Sequence, residues 1–324
     1  CWSINPEKRP TAGECRKLIS WMPMIAPAPN RTVDEKASRL RHAQLLNKLG
    51  QMYRRQADYV SASKCFTEAL DIYTNNGNTG GRAMTLHGLA DVHRFQGECS
   101  KAITLYSEAL QIHTDRGDET GRANTIWALA ETHRMKHNYD EAAKMYSESL
   151  QVYTKTGTDR ARAITLRGLA EVHRLRGEYS EAKDLFSQVL PIFTDVGDQM
   201  ERASTLCCLA DVHRIQYEYD EAITLYSEAT QILTDFGDKY WRPKALLGLA
   251  RTHQMQKHHR EAIFFYTKAS ELFAETGESA HATDALENAD AIRKTIEKTS
   301  EGFSGIVETE KELTNSKCNA VWML

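Results

Sequence analysis

The feature that most constrains this chain is repetition at a period of 40 residues. The segments GLADVHRFQGECSKAITLYSEAL (88–110), ALAETHRMKHNYDEAAKMYSESL (128–150), GLAEVHRLRGEYSEAKDLFSQVL (168–190) and CLADVHRIQYEYDEAITLYSEAT (208–230) are copies of one unit. KLGQMYRRQADYVSASKCFTEAL (48–70) and GLARTHQMQKHHREAIFFYTKAS (248–270) flank them as weaker copies. A period of this length marks one supersecondary unit that buries its apolar face only by stacking on its neighbours.

Apolar positions within the unit recur at helical spacing, as in Leu86, Leu89, Ala90 and His93, then Ala102, Tyr106, Ala109 and Leu110. Two amphipathic helices per unit follow. Gly77, Gly117, Gly157, Gly197, Gly237 and Gly277 share one phase, where a second helix would end in a left-handed residue. The next residues, Asn78, Asp118, Thr158, Asp198, Asp238 and Glu278, are placed to cap the following first helix, and five of the six are good N-cap types. The internal turn holds Gly97 and Gly177, but Ala57, His137, Tyr217 and Lys257 elsewhere, so it accepts side chains. Alanines occupy one phase of each helix, Ala90, Ala130, Ala170, Ala210 and Ala250 on the first and Ala62, Ala102, Ala142, Ala182, Ala222 and Ala262 on the second. Bulky partners fill the space between: Leu49, Leu89, Leu129, Leu169, Leu209 and Leu249 against Phe66, Tyr106, Tyr146, Phe186, Tyr226 and Tyr266. Pro191 and Pro243 fall inside predicted helices, where a lost donor and a ring clash predict kinks or early stops.

The pattern Leu89-Ala90, Ala102, Tyr106, Ala109 and its copies resembles the tetratricopeptide repeat. The unit is longer than the usual ~34 residues and is similar to the longer variant of kinesin light chains, spindle-orientation scaffolds and fungal repeat arrays. The resemblance implies an all-α, right-handed solenoid of about six helix-turn-helix repeats. These are residues 35–77, 78–117, 118–157, 158–197, 198–237 and 238–277, closed by a capping helix over 278–300. One departure is the first-helix Tyr, which survives as Tyr53 but becomes His93, His133, His173, His213 and His253.

The ends read differently. Residues 1–22, with Cys1-Trp2, Pro6, Arg9-Pro10-Thr11 and Glu14, are similar to the last segment of a tyrosine-kinase-like protein kinase domain. Residues 23–34, with Pro23, Pro27 and Pro29, read as a linker, and Thr32 to Glu35 as a capping box. Residues 301–324 are expected to be partly disordered. The chain opens on Cys1 and reads like the middle of a longer protein.

Charge and composition narrow the function. A net charge of -3 has the wrong sign for neutralising phosphates, so nucleic acid is not expected as a partner. No run of ~18 apolar residues and no signal peptide is present, so no membrane partner and a cytoplasmic site are expected. The seven cysteines follow neither disulfide nor zinc spacing and read as thiols. No Gly-rich phosphate loop, catalytic Asp loop or metal motif appears, so neither catalysis nor cofactor is expected in these residues. A catalytic kinase lobe would have to precede Cys1. The in-register histidines stand a helix pair apart, whereas zinc needs every ligand nitrogen within ~2.1 Å, so they are expected to pack rather than bind metal.

A second register carries charge: Asp91 with Arg94, Glu131 with Arg134, Glu171 with Arg174, and Asp211 with Arg214. An i, i+3 acid–base pair shares one helix face. By the resemblance, first helices line the concave surface, and these residues would form a groove holding a protein or peptide ligand. Self-pairing on a solvated face is the competing reading, and the two are compatible. The adjoining phase, His87, Trp127, Arg167, Cys207 and Leu247, varies from copy to copy, as sequence-specific reading would require. Trp127 is the best anchor, and Arg167 joins it, because aromatic and Arg residues dominate interface energetics. Arg82, Arg122, Arg162, Arg202 and Arg242 open the first helices against the dipole, and Asp118, Asp198 and Asp238 are expected to compensate them. No Lys/Asn carboxylate clamp of the kind seen in chaperone-tail binders is visible. The sequence therefore describes a protein-interaction scaffold, with two alternatives: the regulatory or substrate-recruiting arm of a kinase, or a self-associating sensor array.

Overall fold

A computed structural model describes residues 35–298. The kinase-like segment, the linker and the tail beyond 298 lie outside the described residues. Among the described residues there are thirteen α-helices and no strand, in agreement with the all-α expectation. They are α1 (Glu35–Arg55), α2 (Tyr59–Asn75), α3 (Thr79–Phe95), α4 (Cys99–Asp115), α5 (Glu119–Met135), α6 (Tyr139–Thr156), α7 (Asp159–Leu175), α8 (Tyr179–Asp195), α9 (Gln199–Ile215), α10 (Tyr219–Asp235), α11 (Trp241–Met255), α12 (His259–Glu275) and α13 (Ser279–Lys298). The chain divides between Thr156 and Gly157 into two compact units.

In the first unit the hairpins α1/α2, α3/α4 and α5/α6 stack in order, and α1 touches α3 as α3 touches α5. In the second, α7/α8, α9/α10 and α11/α12 do the same, with α13 packed on α12. First helices thus lie against first helices along one face of each unit. The alanines at the two small phases are fully buried, and the aromatic rings at 66, 106, 146, 186, 226 and 266 are at most 1% exposed. Five of the six partner leucines are buried and Leu169 is half-buried. Cutting one of the buried leucines to Ala removes about 2–5 kcal/mol.

Both turn types end helices with the same bonds. At the repeat junction, Gly77 N–H donates to Thr74 O at 3.1 Å and Asn78 N–H to Tyr73 O at 2.9 Å, with Gly77 at φ 66°. That pairing satisfies two orphan carbonyls and requires a left-handed residue. Asn78, Asp118 and Asp198 then accept the N–H of Gly81, Gly121 and Glu201 as caps. The internal turns repeat the scheme, and Ala57, His137, Tyr217 and Lys257 hold the left-handed position at φ 58–64°.

Neither proline stops its helix early. Pro191 lies inside α8, yet the helix runs on to Asp195 because Val189 and Phe193, on either side of it, are fully buried and anchor that turn. Tertiary burial outweighs one missing donor. Pro243 falls in the first turn of α11, where its absent N–H has no intrahelical acceptor anyway. There Asp238 turns the chain by accepting from Tyr240 N–H at 3.0 Å and Trp241 N–H at 2.5 Å.

Candidate functional site

The first helices of the first unit carry Asp91 and Arg94 on α3 and Trp127, Glu131 and Arg134 on α5. The second unit carries Arg167, Glu171 and Arg174 from α7 and Asp211 and Arg214 from α9. Each acid meets the Arg one turn on: Arg94 to Asp91 at 3.3 Å, Arg134 to Glu131 at 2.7 Å, Arg214 to Asp211 at 2.8 Å. Arg174 grips both oxygens of Glu171, at 2.5 and 2.7 Å.

A third member joins three of these pairs from the second helix. The Tyr106 hydroxyl donates to Asp91 at 2.5 Å, Tyr226 to Asp211 at 2.7 Å, and Tyr146 to Glu131. Phe186 has no hydroxyl to offer, and Glu171 is the acid that Arg174 holds with two bonds. Burial first, and then the neighbouring carboxylate, pushes all three phenols well above their ordinary pKa, which keeps them as donors. Burial opposes the charge on Glu131, but Arg134 and the Tyr146 hydroxyl outweigh it and hold its carboxyl below the usual range. Arg54 adds an inter-repeat contact to Asp91 at 3.2 Å. The acid–Arg register is therefore a part-buried, internally bonded network rather than a solvated charge stripe. The sequence marks it where Tyr rather than Phe fills the bulky phase.

The variable phase packs between successive first helices. Asn47 Nδ2 donates to Thr85 at 3.0 Å, His87 Nδ1 meets Thr125 Oγ1 at 3.2 Å, and Arg167 reaches Glu201 at 3.1 Å. Cys207 and Leu247 are buried, and burial also lowers the His87 pKa. Trp127 is half-buried against a cluster of Ala90, Ala102, Tyr106, Ala128 and Leu129. Its indole N–H finds no acceptor among the described residues, and neither do the Nε groups of Arg134, Arg167 and Arg214.

The helix-opening arginines find partners other than those expected. Arg82, Arg122 and Arg202 bind Glu108, Glu148 and Glu228 of the second helix in their own repeat. Asp118 and Asp198 are engaged as caps, and Asp198 also takes Arg160 at 2.7 Å. A side chain 26 residues on lies across the hairpin, closer than the loop acid. Three of the five in-register histidines meet the acid at the head of the second helix in their repeat, His93 with Glu98 at 2.6 Å, His173 with Glu178 at 2.5 Å and His213 with Glu218 at 2.6 Å, while His253 stacks on Phe265 at 5.5 Å. Among the described residues no three His, Cys, Asp or Glu groups converge on a metal position, and no helix is long and apolar enough to cross a membrane.

The tetratricopeptide repeat pattern matches residues 41–115, 121–195 and 201–275. No curated protein matches by sequence. Among solved structures, a Rap protein complexed with competence and sporulation factor superposes with a TM-score of 0.59 at 15% identity, over 79% of this chain and 76% of that one. A signal transduction ATPase with numerous domains and a tetratricopeptide repeat sensor, from Pyrococcus horikoshii, gives 0.62 at 17%, over 93% and 48%. A putative kinesin light chain array from Podosopora anserina gives 0.52 at 18%, over 61% and 97%. These likenesses concern the fold. With paired helices stacked in register and that pattern spanning more than half its length, the chain belongs to the tetratricopeptide repeat family.

Proposed function

We propose that this chain is a protein-interaction scaffold whose first-helix face holds a peptide or helix of a partner, with recognition and no chemistry of its own. The observation that carries the reading is that the first helices of each unit hold buried donors with no acceptor among the described residues: Trp127 Nε1 and Arg134 Nε in the first unit, Arg167 Nε and Arg214 Nε in the second. A buried polar group left unpaired is destabilising by about 1–3 kcal/mol, and each such group in a native fold calls for a ligand or water. A bound segment has backbone carbonyls and side-chain oxygens to supply. One structural relative is a complex with a factor, which fits a binding role for such an array.

Pull-downs with the intact chain, with Trp127→Ala, and with the pair Arg134→Glu, Arg174→Glu test it. Circular dichroism accompanies each variant, because the two arginines also bond Glu131 and Glu171. Folded variants should lose the partners of the intact chain. Identical partner sets would remove the proposal.

A further inference from the structure

One rim of the second unit is apolar where its surroundings are ionic. Leu175, Ile215 and Met255 are the last residues of α7, α9 and α11. Leu175 is 37% exposed and Met255 54%, with Ile215 half-buried between them. Tyr217, in the turn after α9, is 73% exposed. Successive turns are tied side by side by Lys183 to Glu218 at 2.7 Å and Gln256 to Asp220 at 2.8 Å. These four side chains therefore form one ledge.

Two further observations concern what covers it. Tyr217 sits at φ 64°, a strained angle for a side chain, where Gly177 fills the same place one repeat earlier. Its ring meets Tyr219 edge-on at 6.1 Å and enters no core cluster, so folding gains little from a tyrosine there. The charge along the ledge is also uneven. Beside the first two turns the ions are paired, Arg176 with Glu178 at 3.0 Å and Glu218 with both Lys183 and His213. The third turn runs Lys257-His258-His259-Arg260, and no carboxylate among the described residues pairs with the exposed Lys257 or Arg260. Nearby Arg251 reaches Asp284 only at 4.0 Å.

We infer that this rim docks an amphipathic helix of a partner protein, with apolar residues seven apart and an acidic end seated on Lys257 and Arg260. The inference rests on the first-helix face being the binding surface. Touching helices lie about 8–10 Å apart, which sets the spacing from Leu175 to Ile215 to Met255. Two turns of an α-helix advance ~10.5 Å, so positions i, i+7 and i+14 meet the three in turn. An extended chain covers that distance in about three residues, and its side chains then point to opposite faces. The helix fits and the strand does not.

The probe is a synthetic three-heptad amphipathic peptide with one Leu stripe and Glu in its last turn, compared with a peptide carrying Lys in place of Glu. Fluorescence anisotropy against the whole chain should show the acidic peptide binding about tenfold tighter, and the double change Lys257→Glu, Arg260→Glu should invert the preference. Tyr217→Gly separates binding from folding: it should raise the melting temperature yet weaken the acidic peptide about threefold. A purely structural tyrosine would not split the two readouts. No binding, equal affinity for both peptides, or indifference to the charge reversal overturns the inference. So does a single-stranded oligonucleotide that binds Lys257 and Arg260 as tightly as the peptide. If the Arg134→Glu, Arg174→Glu chain loses its partners while the peptide ignores Lys257 and Arg260, the first-helix face survives as a binding surface and the rim does not.

Discussion

Where Tyr fills the bulky phase, its hydroxyl helps to hold the first-helix acid of the repeat. Tyr146 donates to Glu131, whose remaining bonded partner is Arg134, so Tyr146→Phe leaves a half-buried carboxylate one donor short. Hydrogen bonds to charged groups contribute about 1.5–3 kcal/mol and those to neutral groups about 0.5–1.5. Urea unfolding should therefore show a larger loss for Tyr146→Phe than for Tyr153→Phe, whose hydroxyl donates to the neutral Asn124. Equal losses would mean that the acid is satisfied elsewhere. The turn acids set the pH response. Lys101 and then His93 hold Glu98 below its ordinary 4.5, and Lys183 and His213 do the same for Glu218. A carboxyl depressed in the folded state stabilises fully above the unfolded value, and that contribution fades as pH falls through the folded one. Melting temperature should drop on acidification below about pH 4.5, and Glu98→Gln with Glu218→Gln should flatten the drop. An unchanged slope would assign acid sensitivity to other groups.

At the scale of elements, the internal turns were chosen for bond geometry and not for residue type. Lys257 and Ala57 take the left-handed angle because Lys257 N–H to Gln254 O at 3.0 Å, and Ala57 N–H to Arg54 O at 3.1 Å, leave no other path. Lys257→Gly and Ala57→Gly should each add about 1 kcal/mol of stability, and Gly177→Ala should remove a similar amount. The space around Gly177 is open, so backbone strain alone is tested there. Gly88 is the opposite case: a Cβ would stand 2.7 Å from the Phe66 ring, so Gly88→Ala should lose about 1–3 kcal/mol by overpacking. Helix pairing, caps and small phases were legible in the sequence because each recurs every 40 residues and the same physics acts on every copy. The site was legible only in part. The acid–Arg pairs follow from i, i+3 spacing, but Tyr106 and Asp91 are 15 residues apart on different helices, and only the hairpin brings them together. The variable phase looked like a recognition stripe because sequence cannot tell variation that follows a partner from variation that follows a neighbouring helix, as between His87 and Thr125. The exposed ends of α7 and α11 carry no signal of their own in the sequence, because helical periodicity does not separate Leu175 and Met255 from core residues.

An end helix of stacked hairpins needs a single apolar face, and α13 has that character, which we propose makes it the cap of the second unit. Ala282, Ala285, Ala289, Ile292 and Ile296 are buried, while Thr283, Asp284, Glu287 and Lys294 face outward. The helix covers Phe265, Tyr266, Ala269 and Phe273 of α12 in one core cluster, and Ser270 donates to Ala282 O at 2.7 Å to fix its register. Burying each isoleucine contributes about 1.5–3 kcal/mol. In a quasi-one-dimensional array the loss of one interface removes stability from the repeat it covered and exposes that repeat's apolar face. A chain ending at residue 278 should therefore melt earlier and, by light scattering, associate as its concentration rises. Ile292→Ser with Ile296→Ser should reproduce the lower stability without shortening the chain, and Leu286→Ser, at an exposed position of the same helix, should not. If the shortened chain stays monomeric and melts where the intact one does, α12 is already a sufficient end and α13 is an ornament of the fold.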